Sequence, residues 1–310
     1  MTMRKLLIAI TVTVATLIAV LTAASFFMLH YALAPQPGRA NVDSCYSALY
    51  ERYPDLRPWV DSLHRAKALR DTFVIMPTGE RHHALYVPNG SHRTALVLHG
   101  WRNESIHFLF LARLYDRMGF NVVVPDLHAH GLSDGDAIGM GWPDRLDVLH
   151  WMNVFRTDSM VLHGVSMGAA TAMMVSGEPM PVGVKDVRFV ADCGYTSAWD
   201  EFAEQLRQQF GLPAFPLLHC TSQLCRVRYG WDFREASALE QVKRCRWPML
   251  LIHGDSDLFV PTAMVHRLYA AKPQPKRLWI VPGTDHARSY LNHPDEYTTR
   301  LSDFLTTRFL

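Results

Sequence analysis

The pentapeptide Gly-Val-Ser-Met-Gly at residues 164–168 constrains the fold more than any other part of this 310-residue chain. It follows an apolar run at 159–163 that is typical of a buried strand, and it precedes an alanine- and methionine-rich run at 169–174 that is typical of a helix. A serine between two glycines at such a junction indicates a turn so tight that residues without a Cβ are needed beside it. This pattern, centred on Ser166, is that of a nucleophile elbow.

Short apolar runs alternate with helical patterns over most of the chain. Strands are predicted at residues 72–76, 83–87, 94–99, 121–125, 159–163, 187–192, 249–252 and 278–281. Helices are predicted at residues 106–118, 142–155, 167–176, 262–271 and 294–309. Short, nearly all-apolar strands favour a parallel sheet covered by helices on both faces. We therefore predict a doubly wound, mostly parallel eight-stranded α/β sheet.

The segment from Cys193 to about Glu240 interrupts this alternation between the sixth and seventh predicted strands. It is long and rich in aromatic residues, and we interpret residues 195–240 as a small helical cap over the site. Taken singly, each of these aromatics could equally be an ordinary core residue of an additional helix. They are Phe202, Phe210, Phe215, Trp231 and Phe233.

The N-terminus predicts a membrane segment, because Arg4 and Lys5 precede an uncharged apolar stretch at residues 6–29 that is long enough to cross a bilayer. The Thr-Ala-Ala sequence at 22–24 is a mediocre cleavage site, so an uncleaved single-pass anchor is favoured over secretion after signal cleavage. The positive-inside bias then predicts that the rest of the chain is extracytoplasmic. Residues 1–33 are predicted to form the anchor and the start of a linker, and residues 40–310 the folded domain. Asp43 or Ser44 is predicted to cap the domain's first helix, which would run towards Arg57.

Charge and motif content exclude several classes of function. With 31 basic and 29 acidic side chains, the net charge of +2 argues against nucleic-acid binding. The chain has no His-Glu-x-x-His motif, no glycine-rich phosphate loop and no dinucleotide fingerprint, so no metal and no cofactor is predicted. Histidines near the site are expected to shape loops by hydrogen bonding: His99, His128, His130, His163 and His253.

The five cysteines form an odd set, which leaves at least one thiol unpaired. Cys220 and Cys225 are close enough in sequence to bridge in an oxidising compartment, and free buried thiols are an equally good interpretation.

An elbow serine needs a histidine to accept its proton and an acid to orient that histidine. His286 follows the apolar run at 278–281, and the loop at 253–261 offers Asp255 and Asp257. The chain order of serine, acid and histidine is the one found in α/β-hydrolases.

With these motifs the chain resembles the α/β-hydrolase superfamily from about residue 70 to the C-terminus. Two further segments resemble a bacterial branch of membrane-anchored or cytoplasmic hydrolases, described as serine-aminopeptidase-like or esterase-like. The segments that carry the resemblance are the elbow, His99-Gly100-Trp101, residues 126–133, residues 253–261, and, for the bacterial branch, residues 138–145 and 192–197.

The resemblance implies a role for each site residue. Ser166 would be the nucleophile and His286 the general base, with Asp257 as the acid and Asp255 as its neighbour in a turn. Asp192, after the sixth strand, is a rival for the acid, because some members of the superfamily place it there. The sequence neighbour of His286, Asp285, is expected at the surface.

The backbone N–H groups of Trp101 and Met167 are the two candidate oxyanion donors. Met167 begins the helix after the nucleophile, so the positive end of that helix would also face the oxyanion. The Trp101 side chain is expected either to wall the acyl pocket or simply to pack.

The predicted function is that of a serine hydrolase that cleaves a carboxylic ester, thioester or amide through an acyl-enzyme. Acyl transfer by the same triad is an alternative. A membrane-tethered binding protein that keeps the fold without catalysis is a third hypothesis, from a different class.

Overall fold

The computed structural model describes residues 2–39 and 41–307. Its centre is an eight-stranded sheet in the order β1-β2-β4-β3-β5-β6-β7-β8, in which β2 runs antiparallel to β1 and β4 and every other pair is parallel. The strands are β1 (Arg70–Ile75), β2 (Arg81–Val87), β3 (Arg93–Leu98), β4 (Asn121–Pro125), β5 (Ser159–Val165), β6 (Asp186–Asp192), β7 (Met249–Gly254) and β8 (Lys276–Val281). The predicted eight strands and mostly parallel α/β sheet are confirmed.

Helices cover both faces of the sheet, as the apolar central strands require. One apolar cluster joins the sheet to α2, α3, α4 and α12, and the other joins it to α1 and to α5 through α10. The helices are α1 (Met3–Leu33), α2 (Val42–Arg52), α3 (Arg57–Arg65), α4 (Leu109–Arg117), α5 (Asp144–Val154), α6 (Met167–Val175), α7 (Ala198–Phe210), α8 (Leu217–Tyr229), α9 (Ala238–Val242), α10 (Ala263–Ala271), α11 (Ser289–Asn292) and α12 (Pro294–Thr306).

The predicted helices differ from the observed ones mainly at their ends. The predicted helix at 106–118 begins as a 3-10 turn at Ser105–Phe108, and the predicted end at Phe309 lies outside the described residues. The predicted cap of the first domain helix was wrong: the side chain of Asn41 accepts from Ser44 N–H, so the capping residue comes before Asp43.

The segment between β6 and β7 forms two long helices, α7 and α8, followed by the short α9. The cap aromatics have different environments: Trp231 and Phe233 are buried, whereas Phe215 is 71% exposed. All five cysteines are free thiols, and Cys220 and Cys225 lie on the same helix, α8.

The order of the strands determines where on the sheet a ligand site is expected. β3 has β4 on one side and β5 on the other, so the chain direction across the sheet reverses at β3. In open α/β sheets ligands bind beyond the carboxyl ends of the strands at such a switch point. The loop after β3 carries Trp101, and the turn after β5 carries Ser166.

Candidate active site

Ser166 lies on a strained turn between β5 and α6. Its backbone has φ 57° and ψ −119°, a conformation that L-residues rarely adopt. A Cβ on Gly164 would lie 2.0 Å from the carbonyl oxygen of Gly168, and one on Gly168 would lie 2.1 Å from that of Leu98. The two glycines are therefore required by close backbone packing, as the pentapeptide predicted.

The structure brings Ser166, His286 and Asp257 together in one hydrogen-bonded chain. Ser166 Oγ lies 2.8 Å from His286 Nε2, and His286 Nδ1 lies 2.7 Å from Asp257 Oδ2. His286 comes from the loop after β8 and Asp257 from the loop after β7. β5, β6, β7 and β8 are successive parallel strands and end at the same edge of the sheet, which is why residues 120 positions apart in the chain meet there.

Asp257 is held as a buried carboxylate. Burial alone would raise its pKa, but hydrogen bonding to His253 and His286 and to the Val260 N–H lowers the pKa to about 2. Its Oδ1 accepts from the N–H groups of Phe259 and Val260 at 3.0 and 2.8 Å. Asp257 is thus ionised at neutral pH and fixed towards His286.

The other predicted carboxylates lie elsewhere. The oxygens of Asp192 accept from Ser289 Oγ at 2.9 Å and from Tyr297 Oη at 3.2 Å, and burial raises its pKa to about 6. The Asp255 carboxylate accepts from Ser256 Oγ within its turn. Asp285 is exposed, as expected.

The two candidate oxyanion donors flank Ser166. Met167 is the first residue of α6, where backbone N–H groups have no partner within the helix. The loop that carries Trp101 packs on the serine, since a Cβ on Gly100 would touch Ser166 Cβ at 3.4 Å. Within the described residues, no backbone or side-chain acceptor takes the N–H of Met167 or of Trp101.

Two buried histidines shape the loops around the site, as expected. His99 Nε2 accepts from the Leu127 N–H, and its Nδ1 contacts the Gly100 carbonyl at 2.8 Å. His130 Nε2 accepts from the Arg102 N–H at 3.1 Å. Burial lowers the pKa of both rings, so each remains neutral and holds its loop in place by hydrogen bonds.

A largely apolar cavity opens above Ser166. The cap contributes Phe202, Leu206 and other side chains to the cavity wall. Trp101 also lines the cavity, which is one of the two roles expected for its side chain. Two contributions to this cavity were not predicted: the last turns of α1, and the buried Glu201 of α7. No local sequence signal pointed to either, because the first is hidden in an apolar helix and the second is one acid in an amphipathic one.

Among the residues that the structure describes, two groups of ligand-type side chains lie close enough to hold a cation: Glu80 with His82 and His128, and Cys193 with Asp257 and His286. In the second group, Asp257 and His286 already contact each other within the hydrogen-bonded chain. In the first group, Glu80 Oε1 lies 3.2 Å from His128 Nε2.

Comparison with known proteins agrees with this architecture. A sequence model described as the alpha/beta hydrolase family matches residues 95–300. The uncharacterized protein YqkD of Bacillus subtilis is 29% identical over 223 residues, which are 70% of this chain and 72% of YqkD. The uncharacterized protein YfhR of Escherichia coli is 26% identical over 241 residues, covering 73% of this chain and 77% of YfhR.

Solved structures share the fold at low sequence identity. The Pyrococcus furiosus esterase Pf2001 has a TM-score of 0.61 and 22% identity, covering 76% of this chain and 91% of the esterase. A hydrolase from Pseudomonas aeruginosa has a TM-score of 0.57 and 15% identity, covering 77% of this chain and 99% of that protein. Because the family model also spans more than half of the residues, the chain belongs to the alpha/beta hydrolase family.

Proposed function

We propose that this protein is a serine hydrolase that cleaves a carboxylic ester, thioester or amide through an acyl-enzyme. Family membership supports hydrolase activity in general. The observation that carries the finer proposal is the continuous hydrogen-bonded chain from Ser166 through His286 to Asp257, at a strained elbow.

In the first step the Ser166 hydroxyl attacks the carbonyl carbon while His286 Nε2 takes its proton. The Asp257 carboxylate accepts from His286 Nδ1–H, which holds the tautomer needed for Nε2 to act as the base. The carbonyl oxygen becomes an oxyanion, and the N–H groups of Met167 and Trp101 stabilise it. The first turn of α6 adds the positive end of its dipole.

The tetrahedral intermediate collapses when the proton on His286 passes to the leaving alcohol, thiol or amine. A water molecule then attacks the acyl-enzyme carbonyl while His286 Nε2 accepts its proton. The second tetrahedral intermediate collapses as His286 passes that proton to Ser166 Oγ, which releases the acid and restores the serine. Acyl transfer differs only in that an alcohol or amine replaces this water.

We further propose that residues 6–29 anchor the protein in a membrane as a single pass. α1 contains an apolar window long enough to span a bilayer, and none of that window is buried in the protein. Arg4 and Lys5 before it favour an orientation with the N-terminus in the cytoplasm and the hydrolase domain outside.

The mechanism is tested with full-length protein in detergent, using nitrophenyl esters of increasing chain length and aminoacyl amides. We expect Ser166→Ala and His286→Ala to lower kcat by roughly 10³-fold or more while thermal unfolding stays that of the unmodified protein. Retained turnover in purified, folded Ser166→Ala would contradict the proposal. A folded protein inactive on every acyl substrate would favour the non-catalytic binding hypothesis.

A further inference from the structure

The helix α1 has two parts with different surroundings. Residues 3–20 are exposed on every side, whereas the later turns bury one stripe of side chains against the domain. The stripe consists of Ser25, Leu29, Ala32 and Leu33. Its spacing of three to four residues places these side chains on one face of the helix. The first part of α1 is therefore an exposed apolar helix, and its last turns are packed as part of the hydrolase domain.

The end of α1 is bonded to the loop that carries a candidate oxyanion donor. The Trp101 indole N–H donates to the Ala32 carbonyl at 3.0 Å, and an Arg102 Nη donates to the Tyr31 carbonyl at 2.9 Å. These carbonyls belong to the last helical turn, whose oxygens have no partner within the helix. The final turn of α1 thus helps to fix the position of the loop next to Ser166.

The same turns of α1 form part of the cavity wall above Ser166. Met28, Tyr31 and Ala32 line it on one side, and the cap residues Phe202 and Phe210 line it from α7. The ring of Tyr31 packs edge to face on Phe210, with centroids 5.9 Å apart, so the helix and the cap meet across the cavity.

Helix geometry puts this cavity at the membrane surface. The proposed anchor, residues 6–29, is about 36 Å long at 1.5 Å per residue, slightly more than the ~30 Å hydrocarbon thickness of a bilayer. Met28 lies in the last turn of this anchor, on the continuous helix α1. The wall of the cavity therefore begins where the membrane-embedded stretch ends.

Further exposed apolar side chains lie in the cap, next to the part of α7 that packs on α1. The turn between α7 and α8 carries Leu212 and Phe215, which are 43% and 71% exposed, and it directly follows Phe210. Aromatic and aliphatic side chains of this kind are stabilised at the boundary between headgroups and acyl chains.

We propose that the substrate is a long-chain acyl ester resident in the membrane, whose acyl chain enters the cavity alongside α1 and packs on Met28 and Ala32. This inference rests on the proposed serine hydrolase function and adds the substrate class. The anchor is then part of the binding site as well as a tether, because it supplies one wall of the acyl pocket.

The test uses full-length protein in phosphatidylcholine nanodiscs, with 4-methylumbelliferyl oleate in the bilayer and 4-methylumbelliferyl butyrate in water. Met28→Trp narrows the cavity, and Met28→Gln keeps the length of the side chain but makes it polar. We expect each to lower the ratio of kcat/KM for oleate to that for butyrate by roughly tenfold or more, since several methylenes lose their packing. Phe26 lies about 200° around the helix from Met28 and is 48% exposed, so Phe26→Trp and Phe26→Gln are matched controls that keep the ratio.

The outcomes separate this inference from the proposed function. Hydrolysis of butyrate that requires Ser166, together with equal ratios in the Met28 and Phe26 variants, would overturn the lipid pocket and leave the serine hydrolase standing. Hydrolysis that does not require Ser166 would overturn both. Labelling of each variant by a small fluorophosphonate reports whether it is folded, and the Gln variant still tests the wall if the Trp variant fails to label.

Discussion

At the scale of single residues, two acids are candidates for the role beside His286, the proposed general base, and their surroundings differ. Asp257 lies 2.7 Å from His286 and has a pKa of about 2, whereas Asp192 is bonded to Ser289 and Tyr297. The family resemblance favours Asp257 and keeps Asp192 as a rival, because each follows a strand at the same sheet edge. Only the path of the loop after β7 decides which carboxylate reaches the histidine.

The pair Asp257→Asn and Asp192→Asn tests this assignment. We expect Asp257→Asn to lower kcat by roughly 10³- to 10⁴-fold with little change in KM, because the amide stabilises the wrong tautomer of His286. Asp192→Asn should change kcat far less. Steady-state kinetics on one ester measures both, and a larger loss of kcat in Asp192→Asn would contradict the account.

Glu201 gives a prediction about pH. Burial raises its pKa from 4.5 to about 8, and Oε2 has no donor among the described residues. The folded state therefore holds a proton that the unfolded state has released between about pH 4.5 and 8. Its contribution to the unfolding free energy is complete below pH 4.5 and is lost as the pH rises to about 8.

Glu201→Gln should remove this dependence. The free energy of unfolding of the variant, relative to the unmodified protein, should rise between pH 5 and pH 8 by an amount on the order of a few kcal/mol. Denaturant titrations in detergent at several pH values measure it. If the free energy of unfolding changes with pH in the same way in the variant and in the unmodified protein, the Glu201 carboxyl is not held protonated.

At the scale of elements, the β5–α6 junction could be predicted because the serine between glycines stands between an apolar strand run and a helical run, and the pattern alone is too common to signal an elbow. A Cβ on Gly164 would meet the backbone of the turn itself, whereas one on Gly168 would meet the Leu98 carbonyl of neighbouring β3. The boundary of α2 was less predictable, since Asn41, Asp43 and Ser44 are all good capping residues and only the backbone geometry chooses among them.

Gly168→Ala tests the packing of this junction. Its Cβ would lie 2.1 Å from the Leu98 carbonyl oxygen, so β3 or α6 must shift, at a cost of about 2–4 kcal/mol in unfolding free energy. Gly100→Ala is the matched control for stability, because its nearest contact, at 3.4 Å, is an ordinary one. Equal thermal stability of the two variants would argue against the close approach.

The docking of α1 could not be predicted from its sequence. A buried stripe is recognised by the contrast between apolar and polar faces, and α1 is apolar all round. The positions Leu29 and Leu33 look like the rest of a membrane span, yet only 3% and 1% of their surfaces are exposed. The cap was predicted as a segment, but its contact with α1, where Tyr31 bonds to Gln209, 178 residues later, depends on tertiary packing alone.

At the scale of the whole molecule, the proposed anchor and the proposed active site share one helix. α1, which we propose crosses the bilayer, ends in the cavity wall and is hydrogen-bonded to the loop of Trp101. In this proposal, α1 sets the distance between Ser166 and the bilayer.

Orientation is the prediction that belongs to this scale. Alkaline phosphatase fused after residue 310 should be active in bacterial cells, because the fusion would be exported. Green fluorescent protein fused at the same position should be dark, because it would be exported by the same route. Replacing Arg4 and Lys5 by glutamate should reduce the fraction with this orientation. An active fluorescent fusion with an inactive phosphatase would place the domain in the cytoplasm and contradict the account.

The central claim is that Ser166 is the nucleophile, and covalent labelling tests it most directly. Full-length protein in detergent is treated with a fluorophosphonate, digested, and analysed by peptide mass. We predict a single adduct on Ser166, absent in Ser166→Ala and slowed roughly 10³-fold or more in His286→Ala. An adduct on another residue, or no adduct on protein shown to be folded by its thermal transition, would contradict it.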